Sequence, residues 1–186
     1  EMPGASCTGA GVLQEKNEFL GDTLNARTFA MAEDLGLPIM TICSTCQGVM
    51  SQANHRMKSN PEYLAKVNVE LAEEGLEYNG NAEPKHLLWI LIEDYGLEKL
   101  EPLITRPLAG IRLAPFYGCY ILRPTNALDF EDNPERQNSL ERLIETLGAT
   151  VVDFASKTRC CGFPILTINE KDRKSTRLNS SHTSIS

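Results

Sequence analysis

Histidine is nearly missing from this chain: His55, His86 and His182 are the only three in 186 residues. Neither His55 nor His86 stands at zinc-finger spacing from a cysteine pair, which excludes a mixed Cys/His finger and leaves cysteine as the candidate ligand. Both histidines are expected at surface or core-edge positions. Positive charge is also short, 18 Lys and Arg against 25 Asp and Glu for a net charge of -7, and this excludes nucleic acid as a partner. Long apolar runs are lacking: Leu87 to Ile92 is the longest near-continuous one, far below the roughly 20 residues that cross a bilayer, so no transmembrane segment is expected. No charged region followed by an apolar one appears after Glu1-Met2-Pro3, and no signal peptide is expected. Neither the Pro/Trp flanks of a thioredoxin site nor a ferredoxin segment of four closely spaced cysteines is visible.

The C-terminal stretch Asp172 to Ser186 has no apolar periodicity, and its first eleven residues, DRKSTRLNSSH, can be back-translated into what looks like a common sequencing-library adapter read in frame. We treat 172–186 as a non-native, disordered tail outside the fold. Setting it aside leaves 15 Lys and Arg against 24 Asp and Glu, a more acidic chain of about 170 residues that suffices for one domain or one and a half. The acidic charge suits docking to partner subunits, although a solvated acidic face is the more frequent explanation of such charge.

What the chain does have is six cysteines, at 7, 43, 46, 119, 160 and 161. Adjacent cysteines do not readily bridge each other, and an acidic chain with helical alternation belongs to a reducing compartment, so a metal site outranks a disulfide framework. The centre of the pattern is Ile39 to Gln52 (IMTICSTCQGVMSQ). A β-branched strand, Ile39 to Cys43, delivers Cys43 and Cys46 to a helix beginning near Cys46, whose positive dipole end favours thiolates. Ahead of it, a helix from Phe19 to Leu35 is expected to bury Leu20, Leu24, Met31 and Leu35. Behind it, Asn60-Pro61-Glu62 caps a helix that stops at Gly75. A turn at Asn79-Gly80-Asn81 and a helix from about Lys85 to Tyr95 follow.

After a connector at Pro107 to Gly110, a strand over Ile111 to Tyr117 leads to Gly118-Cys119. Asn133-Pro134-Glu135 repeats the capping chemistry for a helix burying Leu140, Leu143, Ile144 and Leu147, and a strand over Thr150 to Phe154 leads to Cys160-Cys161-Gly162. Helices alternating with short buried strands argue for α/β layers with a mainly parallel sheet. Cys7-Thr8-Gly9 aligns with Cys160-Cys161-Gly162, giving a weak internal repeat in which glycine lets the backbone approach a bulky cofactor. All-cysteine sites suit iron–sulfur clusters or structural zinc, and the cysteines alone leave both open.

The stretch from Pro107 to Cys119, Asn133-Pro134-Glu135-Arg136, the helix end at Leu147, Cys160-Cys161-Gly162 and Ile42 to Cys46 together resemble the B subunit of heterodisulfide reductases and the related subunit of E-type succinate:quinone and fumarate reductases. Both carry paired cysteine-rich domains named for Cys-Cys-Gly, and the likeness runs from Gly4 to Lys171. It implies two pseudo-repeated domains, 1–106 lacking its N-terminal part and 107–171 lacking its C-terminal part, each a short, mainly parallel sheet flanked by helices. It implies that Cys7, Cys43 and Cys46 belong to one cluster motif, and that Cys119, Cys160 and Cys161 belong to the other and carry the reaction. The implied cofactors are iron–sulfur clusters, 4Fe-4S or, at the second motif, a noncubane form with five thiolates. Thr8 stands where that motif has a cysteine, so the first site reaches four thiolates at most and suits an ordinary cluster or zinc. By the repeat, the missing cysteine of the first motif lies roughly 35 residues before Glu1 and the closing Cys-x-x-Cys of the second begins near position 196. The implied role is an oxidoreductase subunit working with iron–sulfur and flavin subunits, cytoplasmic or on the cytoplasmic face of the membrane, with this fragment inactive alone. A zinc-stabilised assembly or membrane-docking module is the alternative.

Overall fold

The computed structural model describes residues 2 and 4–162; the tail expected at 172–186 and the adjoining 163–171 lie outside the described residues. A short helix α1 (Val12–Lys16) precedes α2 (Glu18–Asp34), which begins where Asn17 caps it by accepting from the Leu20 amide at 3.1 Å. Strand β1 (Ile39–Thr41) then feeds helix α3 (Ser44–Ser59). Helix α4 (Pro61–Leu71) starts as the sequence signals, with the Asn60 side chain accepting from Tyr63 N at 3.0 Å and proline in the first turn. The chain returns as β2 (Pro84–His86), parallel to β1 with Thr41 opposite His86. α3 and α4 form the crossover that a parallel pair needs.

Residues expected as one helix over 85–95 instead divide into β2, a single turn α5 (Leu87–Trp89) and a π-helical segment Ile90–Tyr95. His86 accounts for the break. It is extended, and its Nδ1 accepts from Leu88 N at 3.2 Å, so it caps a new helix rather than joining one. Helix α6 (Leu97–Leu100) follows. The second parallel pair is β3 (Arg112–Leu113) with β4 (Thr150–Val151), far shorter than the strands expected over 111–117 and 150–154. Between them lies helix α7 (Ser139–Thr146), preceded by a 3-10 segment Pro134–Asn138. Asn133 does not cap it; its side chain donates to the Asp129 carbonyl at 3.1 Å.

Two apolar clusters organise the chain. The first joins Phe29 of α2, Ile39 of β1, Met50 and Met57 of α3, and Val67 and Leu71 of α4. The second joins Leu88 and Trp89 to Tyr117, Ile121, Leu128 and Phe130. Leu88 and Trp89, on the early side of the boundary expected at 106, thus pack with the later residues. The expected face of α2 is corrected: Leu20 and Leu35 are exposed, and the buried face carries Asp22, Asn25, Ala26, Phe29 and Ala30. Asp22 accounts for the reversal, because it receives Arg56 Nη2 at 2.6 Å, Arg56 Nε at 2.8 Å and Tyr63 Oη at 2.9 Å, a set of partners that makes a buried carboxylate tolerable. The later half has a counterpart in Arg136, which is buried, donates to Glu93 through Nε at 2.7 Å and Nη2 at 3.0 Å, and lies 4.2 Å over the Trp89 ring.

Candidate metal centre

Cys43 ends the β1 segment and is the extended N-cap residue of α3, whose first helical bond runs from Gln47 N to its carbonyl at 2.9 Å. The helix therefore starts earlier than the expected position near Cys46. Its free amides act on the Cys43 thiol: the Cys46 N–H is the largest influence, burial opposes it, and the net pKa is lowered. Cys46, one turn on, is half-buried and raised, first by burial, with Cys43 and Cys7 adding their charge. The charge of Cys7 thus reaches this pair from its own loop.

A residue that sequence alone does not single out fixes this helix start. Gln47 is 1 % exposed, its Oε1 accepts from Thr41 Oγ1 at 2.7 Å, and its Nε2 donates to Ser51 Oγ at 2.9 Å and to the Pro84 carbonyl at 2.7 Å. With every polar atom engaged, it ties α3 to both strands of the first sheet immediately after Cys46. A polar residue next to a Cys-x-x-Cys pair reads as surface in sequence, so only its burial reveals the role.

The second group is built differently. Cys119 follows Gly118, whose φ of 71° turns the chain out of the β3 segment. The turn continues with Leu122 and Arg123 amides donating to the Cys119 carbonyl at 3.1 and 3.0 Å. Tyr117 N donates to the Lys157 carbonyl at 2.8 Å, and Tyr117 Oη and Lys157 Nζ both reach Glu141, the latter at 3.0 Å. This clasp holds the loop of Cys119 against the loop that runs into Cys160-Cys161. Burial, followed by the charge and hydrogen bond of Cys160 and the charge of Cys161, pushes the Cys119 thiol up to about 11.

The aligned loops share one turn. Gly9 N donates to Cys7 Sγ at 3.5 Å and Gly162 N donates to Cys160 Sγ at 3.4 Å, with φ of 77° and 76° at the two glycines. Thr8, in the place of Cys161, is buried and directs its hydroxyl to Cys46 Sγ at 3.5 Å. All six cysteines are free; Cys7, Cys43, Cys160 and Cys161 are exposed. Among the described residues no three His, Cys, Asp or Glu side chains are grouped as a single metal ion requires. Each group offers thiols alone, with N–H or O–H donors placed on three of the sulfurs, the environment of a thiolate-ligated centre. The thiols fit such a centre in kind, three to a group. His55 is exposed and meets Asn126 at 3.2 Å, and His86 is at the core edge.

The sequence model of the cysteine-rich CCG domain matches residues 1–51 and 113–185, the segments that hold all six cysteines. The chain belongs to the CCG cysteine-rich domain family. Within it, the chain is similar to the B subunit of the ferredoxin/F420H2-dependent CoB-CoM heterodisulfide reductase of Methanosarcina acetivorans, 36% identical over 163 residues, covering 87% of this chain and 54% of that one. It is equally similar to the 8-methylmenaquinol:fumarate reductase membrane anchor subunit of Wolinella succinogenes, 36% identical over 163 residues and covering 88% and 56%. A protein of Archaeoglobus profundus described as like the heterodisulfide reductase B subunit is 38% identical over 149 residues, covering 80% and 50%. The chain spans about half the length of the curated relatives it matches. Among the described residues of this CCG chain, no helix is long and apolar enough to cross a membrane.

Proposed function

We propose that this chain is part of an iron–sulfur, electron-carrying subunit of a multi-subunit oxidoreductase, of the same type as the heterodisulfide reductase B subunit. Such a subunit delivers electrons to a disulfide or carries them between succinate or fumarate and quinone. The observation that supports the reading is the duplicated Cys-x-Gly turn, each copy with a backbone N–H on sulfur and each set beside its own group of thiols. A bound iron–sulfur cluster, of the 4Fe-4S or noncubane type, supplies one-electron transfer.

The chain's own residues prepare the sulfurs. Cys7, Cys43 and Cys46 are the ligands offered to the first centre; Cys119, Cys160 and Cys161 are those offered to the second. The start of α3 favours the thiolate of Cys43, and Gln47 keeps that helix in register with the sheet. Gly9 N–H, Gly162 N–H and the Thr8 hydroxyl each draw charge from a sulfur, a means of setting potential. The second group is the reactive one, because it retains the adjacent cysteine that Thr8 replaces at the first. Working partners are iron–sulfur and flavin subunits, and the place of work is the cytoplasm or the cytoplasmic membrane face.

Thr8 favours one competing reading, in which a four-ligand zinc site makes the chain a structural assembly or membrane-docking module. A Cys160→Ser substitution in the full-length protein made without oxygen tests the proposal. We expect it to abolish the paramagnetic signal and turnover of the second centre while the first persists; unchanged iron-linked redox signals would contradict the assignment.

A further inference from the structure

Glycine inside a helix weakens it and needs a packing reason. Gly48 lies within α3, two residues after Cys46, with no left-handed backbone to explain it. A Cβ there would stand 2.4 Å from the Tyr120 carbonyl oxygen and 2.8 Å from the Tyr120 Cβ. Gly11, two residues past Gly9, meets the other end of the same residue: a Cβ there would stand 2.0 Å from Tyr120 Oη and 2.7 Å from Cζ. Tyr120 itself follows Cys119. Its backbone therefore rests on the helix that carries Cys43 and Cys46, and its ring tip rests on the loop that carries Cys7.

We infer that Tyr120 is a spacer that fixes the separation of the two thiol groups, seated in a cradle formed by Gly11 and Gly48. The same two contacts set the tyrosine between the segments that carry the two thiol groups. Tyr120 is thus a positioning residue. Its functional meaning rests on the electron-carrying role proposed above, since electron transfer between two centres falls steeply with their distance.

The test needs no iron, so its failure is separate from failure of that role. The reduced 186-residue chain is treated with bifunctional maleimides of increasing length, and the shortest that joins a thiol of the first group to one of the second is identified by peptide mass spectrometry. Wild type and Tyr120→Phe should share that length, because the ring fills the cradle without its hydroxyl; Tyr120→Ala and Gly48→Ala should change it. Amide exchange over 118–122 should be about tenfold faster in Gly48→Ala, yet adding Gly48→Ala to Tyr120→Ala should alter exchange by less than about twofold. If Gly48→Ala alone does not fold, folding of the double variant supports the spacer and its failure overturns it. An identical bridging length in all variants, or an equal Gly48→Ala effect in both backgrounds, also overturns it.

Discussion

Cys7-Thr8-Gly9 and Cys160-Cys161-Gly162 make the same turn with the same N–H to sulfur contact, yet they serve unequal neighbourhoods. At the first, Cys43 sits on the open start of α3 with its pKa lowered, and a hydroxyl takes the place of a thiol. At the second, Cys119 is half-buried beside Cys160 and Cys161 and pushed up to about 11. The backbone of a cysteine motif can therefore be copied while its chemistry diverges, because burial, helix ends and one side chain decide how readily each sulfur becomes a thiolate.

The largest expected effects probe what holds each half together. Asp22→Ala strips Arg56 and Tyr63 of their shared carboxylate, and Arg136→Ala strips Glu93 and uncovers Trp89. Each should cost about 3–5 kcal/mol in chemical denaturation, the range for breaking one side of a buried pair. If both halves lose stability equally in either variant, they unfold as a unit and the comparison between them must be redrawn.

Next comes thiol reactivity. At pH 8 in the metal-free chain, Cys43 should alkylate at least about tenfold faster than Cys119, whose rate should go on rising toward pH 11. Site-resolved mass spectrometry reads both, and equal rates would erase the contrast.

Acid should act on the later half. Burial disfavours the charged forms of Glu93 and Glu141, but hydrogen bonds from Arg136 and Lys85 to the first, and from Tyr117 and Lys157 to the second, hold both below the ordinary carboxylate value. The folded state thus binds these protons less readily than the unfolded one. The stability they contribute is complete above about pH 4.5 and is lost as pH falls through the depressed folded values. Glu93→Gln should flatten that acid slope, measured as denaturation midpoint against pH.

The smallest change is at Thr8. Thr8→Val removes the hydroxyl from Cys46 and should cost about 0.5–1.5 kcal/mol, while Thr8→Ser should retain the contact.

Sequence carried the places of β1, β3 and β4, the mainly parallel pairing, the Asn60 cap and the alignment of the Cys-x-Gly loops, because each rests on local chemistry, but not β2, which fell inside an expected helix. It misled where long-range polar contacts take over. Asp22 and Asn25 lie inward on α2 while Leu20 faces solvent, a reversal set by Arg56 in another helix. The break at His86 was hidden because the run after it is uniformly apolar and carries no periodicity of its own. At the site, the six cysteines were legible, but Gln47 and Tyr120 were not. The one available signal was Gly48, a glycine inside a helix.

The central claim is that these thiols serve iron–sulfur centres, and metal analysis tests it most directly. Iron, acid-labile sulfide and zinc per chain should be measured on the full-length protein made without oxygen, together with electron paramagnetic resonance. We predict abundant iron and sulfide with a centre that responds to reductant or oxidant; zinc alone, with no redox-active signal, would contradict the account.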